Sequence, residues 1–288
     1  MPAPFPDDST VDAGKPFIPA ELTPLFHTPA YRQLTAEQSL CYNQLQALYF
    51  NEQIMFFETV LGRSLLEALL RQPWPQRLAA SLRQFLAQER QHTEMFRRLN
   101  RRCAPELYAE RDFFFVQVPR PGRALLERMA GRPLFFSLFL WLMLIQEERS
   151  LFYSRSYLSH RGSLEPHFVQ AHRLHLADEV WHVEWDEELI DACAGRSSPW
   201  LRRLNARLFA WMLDEFFGTP KRAQLRVVAE LARRCPELAA RRPAMRRQLL
   251  ALADDPEYRQ ALYSRAIVPR FFARFEGAPE LHGLEIWA

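Results

Sequence analysis

The chain has 288 residues, nearly half of them apolar and a quarter charged, enough to bury a sizeable globular core. A net charge of +3 excludes the strongly basic balance of a nucleic-acid binder, and the cations are almost all Arg, Lys15 and Lys221 being the only lysines. The most apolar run, residues 133–145, is too short to span a bilayer, which argues against a membrane partner. Nine glycines against plentiful Leu, Ala, Arg, Glu and Gln favour helices over sheets.

Residues 1–34 hold seven of the 21 prolines and read as an irregular arm draped over the rest. Residues 1–10 have neither a basic leader nor an apolar run behind it. Cys41, Cys103, Cys193 and Cys235 are scattered, with no Cys-x-x-Cys pair. Both features predict free thiols in a reducing cytoplasm.

Thr35 with Gln38 three residues on forms a capping-box pattern, opening a helix that runs to about residue 71. Pro73 and Pro75 break it, and a second helix follows over 75–102. Residues 103–132 are mixed: 113–116 extended, 119–122 a loop, 124–129 a short helix. Pro133 is placed to open a third long helix at its first turn, running to about 160. A break near Gly162 precedes a fourth helix over 165–193, stopped by Gly195. Two hairpins joined by a long connection predict an all-α, ferritin-like four-helix bundle with one long crossover. The core bundle would occupy about 35–195. Additional C-terminal helices at 199–217, 222–235, 243–253 and 256–267 would extend it into one helical domain over 35–288. An aromatic-bearing tail, 269–288, completes the chain.

Each hairpin carries the same pattern. Glu58 precedes the Glu-x-x-His pair Glu89/His92 by 31 residues, and Glu148 precedes Glu179/His182 by 31. A third histidine, His175, stands one turn before Glu179 on the same helical face. One Glu-x-x-His means little; two with equal upstream partners match the ligand set of bundles that hold two metal ions. Four buried carboxylates repel one another and resist ionisation unless compensated. Two divalent cations neutralise them, and three imidazoles complete the shell. Oxygen donors mixed with imidazole favour iron, with manganese second, over copper or zinc.

Glu52 and Glu147 are nearby alternatives to Glu58 and Glu148, but either breaks the equal spacing. His172 shares the stripe of His175, farther from Glu179, and reads as a supporting or exposed residue. Asp178 is positioned to hold the outer nitrogen of His92, with Gln88 in the matching place before Glu89.

The pattern Glu, Glu-x-x-His, Glu, His-x-x-x-Glu-x-x-His resembles the non-haem di-iron N-oxygenases of the p-aminobenzoate N-oxygenase family, over about residues 40–190. Ferritins, rubrerythrins and typical bacterial di-iron hydroxylases lack the extra histidine. The resemblance implies O2-dependent oxidation of a small-molecule primary amine to a hydroxylamine, nitroso or nitro product in a biosynthetic pathway. It implies two iron ions on the seven residues and an external electron donor, protein or small reductant. Glu148 and Glu179 would bridge or shift, beside His175. Met55, Phe85, Phe96, Leu151 and Phe152 would wall the pocket. The amine would be free or tethered to a carrier protein, and a homodimer is compatible with such a bundle. The competing readings are a ferroxidase or iron-handling ferritin-like protein and a di-iron C–H hydroxylase.

Overall fold

A computed structural model describes residues 10–194, 198–213 and 221–278. The ends of the predicted arm and tail, Gly195, and residues 214–217 of the predicted 199–217 helix lie outside these residues. The described residues are helical, with no strand among them.

The first long helix begins as its sequence dictates. The Thr35 hydroxyl accepts the Gln38 N–H at 3.2 Å, and the Gln38 side chain accepts the Thr35 N–H at 3.0 Å. Helix α1 (Ala36–Phe56) passes into a π-helical segment, Phe57–Gly62, and resumes as α2 (Arg63–Leu69). Helix α3 (Gln76–Cys103) returns antiparallel beside them. The second hairpin is α6 (Leu138–Ser159) and α7 (Pro166–Ala194). Glu165 caps α7 by accepting the N–H groups of His167 and Phe168. Contacts between α1 and α3, α6 and α7, and α3 and α7 close the ferritin-like bundle.

The crossover carries α4 (Pro105–Tyr108) and α5 (Arg120–Ala130). Residues 119–122, expected as a loop, include the first turn of α5, where Pro121 needs no donor. Residues 113–116, expected as extended, form no strand. The N–H groups of Phe114, Phe115 and Val116 instead converge on one buried carboxylate, Glu52, at 2.7–2.9 Å, which also accepts from the Tyr108 hydroxyl at 2.7 Å. The third long helix opens at Leu138 rather than Pro133. The Arg132 carbonyl turns the chain by accepting from Phe135 and Phe136, and Asn205 caps the Leu138 N–H from another helix.

Beyond the bundle come α8 (Pro199–Met212), α9 (Lys221–Arg234), α10 (Arg242–Ala251), α11 (Pro256–Tyr263) and α12 (Pro269–Glu276). The described part of the tail is thus a helix with Phe271, Phe272 and Phe275 buried. The arm also docks. Asn43 accepts the Phe17 and Ile18 N–H groups and donates to the Ile18 carbonyl. Phe17 stacks on Phe168 at 4.4 Å between ring centres; burying such a ring contributes about 2 kcal/mol. No helix among the described residues is long and apolar enough to cross a membrane.

Candidate metal centre

Six of the seven expected ligands meet in the bundle interior. Glu58 and His175 stand at one end, His182 at the other, with Glu89, His92 and Glu179 between. Glu179 is central: its Oε1 lies 3.0 Å from His175 Nε2, 3.3 Å from His182 Nδ1 and 3.5 Å from His92 Nδ1. Glu89 Oε1 lies 3.3 Å from His182 Nδ1 and 3.6 Å from His92 Nδ1, while Glu58 Oε1 lies 3.5 Å from His175 Nε2. Two donors held about 2.1 Å from one ion at a right angle stand about 3.0 Å apart, so these spacings are those of a coordination shell.

Glu148 does not join them. Its carboxylate turns away and accepts the Arg270 and Phe271 N–H groups at 2.9 and 2.7 Å, capping the first turn of α12. Glu147 faces the centre instead, with Oε2 4.0 Å from His182 Nδ1. The equal spacing misled because a residue count does not fix rotation about the helix axis: Glu147, 32 residues before Glu179, faces inward, while Glu148, about 100° further round α6, faces α12. The signal for Glu147 is a polar stripe on α6. Ser150 bonds His175 Nδ1 at 3.1 Å and Ser154 bonds His172 Nδ1 at 3.2 Å, and both lie on the face of Glu147.

Each ligand histidine has one ring nitrogen held from outside. His92 Nε2 meets Asp178 Oδ2 at 3.0 Å, and His182 Nε2 meets Gln88 Oε1 at 3.1 Å. Gln88 in turn donates to Asp178, so His182, Gln88, Asp178 and His92 form one chain across α3 and α7. These contacts fix the rings and aim His92 Nδ1, His182 Nδ1 and His175 Nε2 at the carboxylates. Thr93, which the sequence reading passed over, donates to Glu58 Oε2 at 2.6 Å.

Phe85 stacks on the His182 ring at 4.0 Å and Phe96 meets His175 edge-on at 5.2 Å. The other expected wall residues stand elsewhere: Met55 is in the core, and Leu151 and Phe152 lie half-buried. Ile54, Phe57 and Met143 line the pocket in their place. His172 is fully buried, stacked on Tyr157, and held well below its ordinary pKa by burial and by His175 beside it. It is a neutral supporting residue rather than an exposed one.

The electrostatics call for cations. Burial and neighbouring Glu179 push Glu147 well up, and burial with Glu89 beside it raises Glu58. Burial also opposes ionisation of Glu179, but His175 and His182 outweigh it and hold that carboxyl well below the usual range. Burial opposes protonation of His175, yet Glu179 and the other acceptors push it to about 9. Glu58 Oε1, Glu89 Oε1, His92 Nδ1, His182 Nδ1 and both oxygens of Glu179 are buried with no hydrogen-bond partner. Buried polar atoms left this way are costly, and a pair of divalent cations satisfies all of them at once. The donor set therefore fits two iron ions. Asp186, one turn beyond His182, is likewise buried, with both oxygens unbonded. Burial together with Glu89 and Glu179 pushes its carboxyl well above the usual range.

No curated protein matches the chain. The sequence model of the family described as p-aminobenzoate N-oxygenase AurF matches residues 3–255, taking in the arm and most of the additional helices as well as the motif-bearing span. With most of its length matched and a buried carboxylate–imidazole cluster at its centre, the chain belongs to the p-aminobenzoate N-oxygenase AurF family and is a di-iron enzyme that oxidises amine nitrogen.

Proposed function

We propose that this enzyme oxidises the primary amine of a small biosynthetic molecule to a hydroxylamine, and onward to the nitroso or nitro level, with O2 and electrons from an external donor. The observation that carries the reading is His175, a third imidazole whose Nε2 faces Glu58 and Glu179 while Ser150 holds its other nitrogen. The metal ligands are Glu58, Glu89, His92, Glu147, His175, Glu179 and His182. When bound, two iron ions supply the electrons and coordination positions through which O2 is activated for oxygen transfer to nitrogen.

The chain's own residues prepare that step. Four carboxylates balance the charge of two divalent ions, so the loaded centre is neutral in a dry core. Glu179, within 3.5 Å of all three histidines, would help hold both ions. Asp178 and Gln88 keep His92 and His182 in the tautomers that leave their Nδ1 atoms free for metal. Phe85 and Phe96 shield the rings from water.

The test is to load the protein with Fe(II), add O2 with a panel of free and carrier-tethered primary amines, and identify products by mass spectrometry. An N-oxygenated product that disappears in His175→Ala, with iron still bound, supports the reading. Turnover of excess Fe(II) with no amine product would favour ferroxidase chemistry, and hydroxylation at carbon a C–H hydroxylase.

A further inference from the structure

The metal pocket retains only about 10 Å³ of free space, room for about one water molecule and none for an amine substrate. A second cavity of about 360 Å³ lies beside it, between α1, the crossover segment 116–119 and α9. That volume falls within the range of small-molecule sites. Phe57 lines both spaces. It is the first residue of the π-helical segment and directly precedes Glu58.

The outer wall of the larger cavity is fixed. Glu52 binds the Phe114, Phe115 and Val116 N–H groups, and Arg226 donates to the Phe115 carbonyl at 2.6 Å. Tyr49 and Phe56 are packed in the core. The inner wall includes Phe57, the one described residue that lines both spaces, and it stands on a π turn, whose wide i→i+5 bonding interrupts the regular helix and commonly marks a functional position.

We propose that the larger cavity receives the apolar body of the amine substrate, and that Phe57 is the partition that determines which amines reach the metals. This rests on the N-oxygenase reading for its substrate but not for its geometry, so the experiment has two arms. In the first, association of azide with the diferric enzyme is followed by stopped-flow absorbance. Phe57→Ala, which opens the partition, speeds azide association several-fold. Val118→Trp, which fills the cavity from its far wall, slows it. In the second, kcat/KM is measured over amines of graded bulk. Phe57→Ala shifts preference toward bulkier amines by about tenfold or more, the scale of a pocket misfit. Val118→Trp raises KM with iron content unchanged. Phe57→Leu keeps the fold well packed and gives intermediate values in both arms. Azide rates that move as stated with no amine oxidised would support the partition and remove the N-oxygenase reading. Azide rates and amine selectivity within twofold of the parent in all three variants, each holding its full iron, would overturn the proposal.

Discussion

Adjacent glutamates on α6 carry opposite assignments, and separating them tests the site directly. Glu148 accepts two backbone N–H groups at the start of α12. In Glu148→Ala the Arg270 N–H, on an exposed residue, can turn to water at a cost of about 1 kcal/mol. Phe271 is only 1 % exposed, so its N–H is stranded at a cost of about 2 kcal/mol. A loss of about 3 kcal/mol is expected, falling first on α12, which is otherwise held by buried Phe271, Phe272 and Phe275 and by Arg270 and Arg274 pairing with Glu187 and Asp191. Iron stoichiometry should hold at about two per chain. Glu147→Gln should do the reverse. The carboxyl of Glu147 lies well above its ordinary pKa because burial and Glu179 oppose its charge. A raised carboxyl destabilises the fold at every pH above its unfolded value, so removing it raises the stability of the metal-free protein at neutral pH. The same change removes a ligand, and iron content should fall to about one per chain. Urea denaturation of the metal-free variants, with iron assayed colorimetrically after loading, reads both quantities. Loss of one iron in Glu148→Ala with an unchanged urea midpoint, alongside full iron in Glu147→Gln, would refute the assignment.

Three further outcomes are expected. Asp178→Asn and Gln88→Ala, which disturb the partners of the outer nitrogens of buried His92 and His182, should weaken iron binding about 10- to 100-fold in competition with a chelator and cost the metal-free protein about 1–3 kcal/mol in urea denaturation. Glu52→Ala, which strands the N–H groups of Phe114, Phe115 and Val116 and the Tyr108 hydroxyl, should cost about 3 kcal/mol or more in urea denaturation. Burial opposes ionisation of Glu230, but Arg233 and Arg234 outweigh it and hold its carboxyl below the ordinary value of 4.5. A depressed carboxylate stabilises the fold above its unfolded pKa and loses that contribution as pH falls through its folded value. Glu230→Gln should therefore cost under about 1 kcal/mol at pH 7, given solvent screening, and progressively less as pH falls through the carboxyl's folded-state value.

The sequence alone determined what depends on local periodicity and on residue chemistry. Thr35 and Gln38 cap a helix wherever they fall three apart ahead of an apolar run, and the four long helices follow from such signals. Two Glu-x-x-His pairs and His175 fall on single helical faces because of the 3.6-residue repeat, and so did the partnership of Asp178 with His92. The tertiary structure decided what depends on rotation about a helix axis and on contacts between distant segments. The packing of α6 against α7 and α12 sets its rotation, so spacing alone could not say which of Glu147 and Glu148 faces inward. The start of α6 is set by Asn205, 67 residues away, and the use of Glu148 by a helix that begins 121 residues later at Pro269. Residues 113–116 have apolar side chains suited to extended chain but no strand among the described residues to pair with, and the Glu52 carboxylate takes the N–H groups of Phe114, Phe115 and Val116 instead. A buried donor must find an acceptor, and which acceptor lies within reach is a property of the assembled fold.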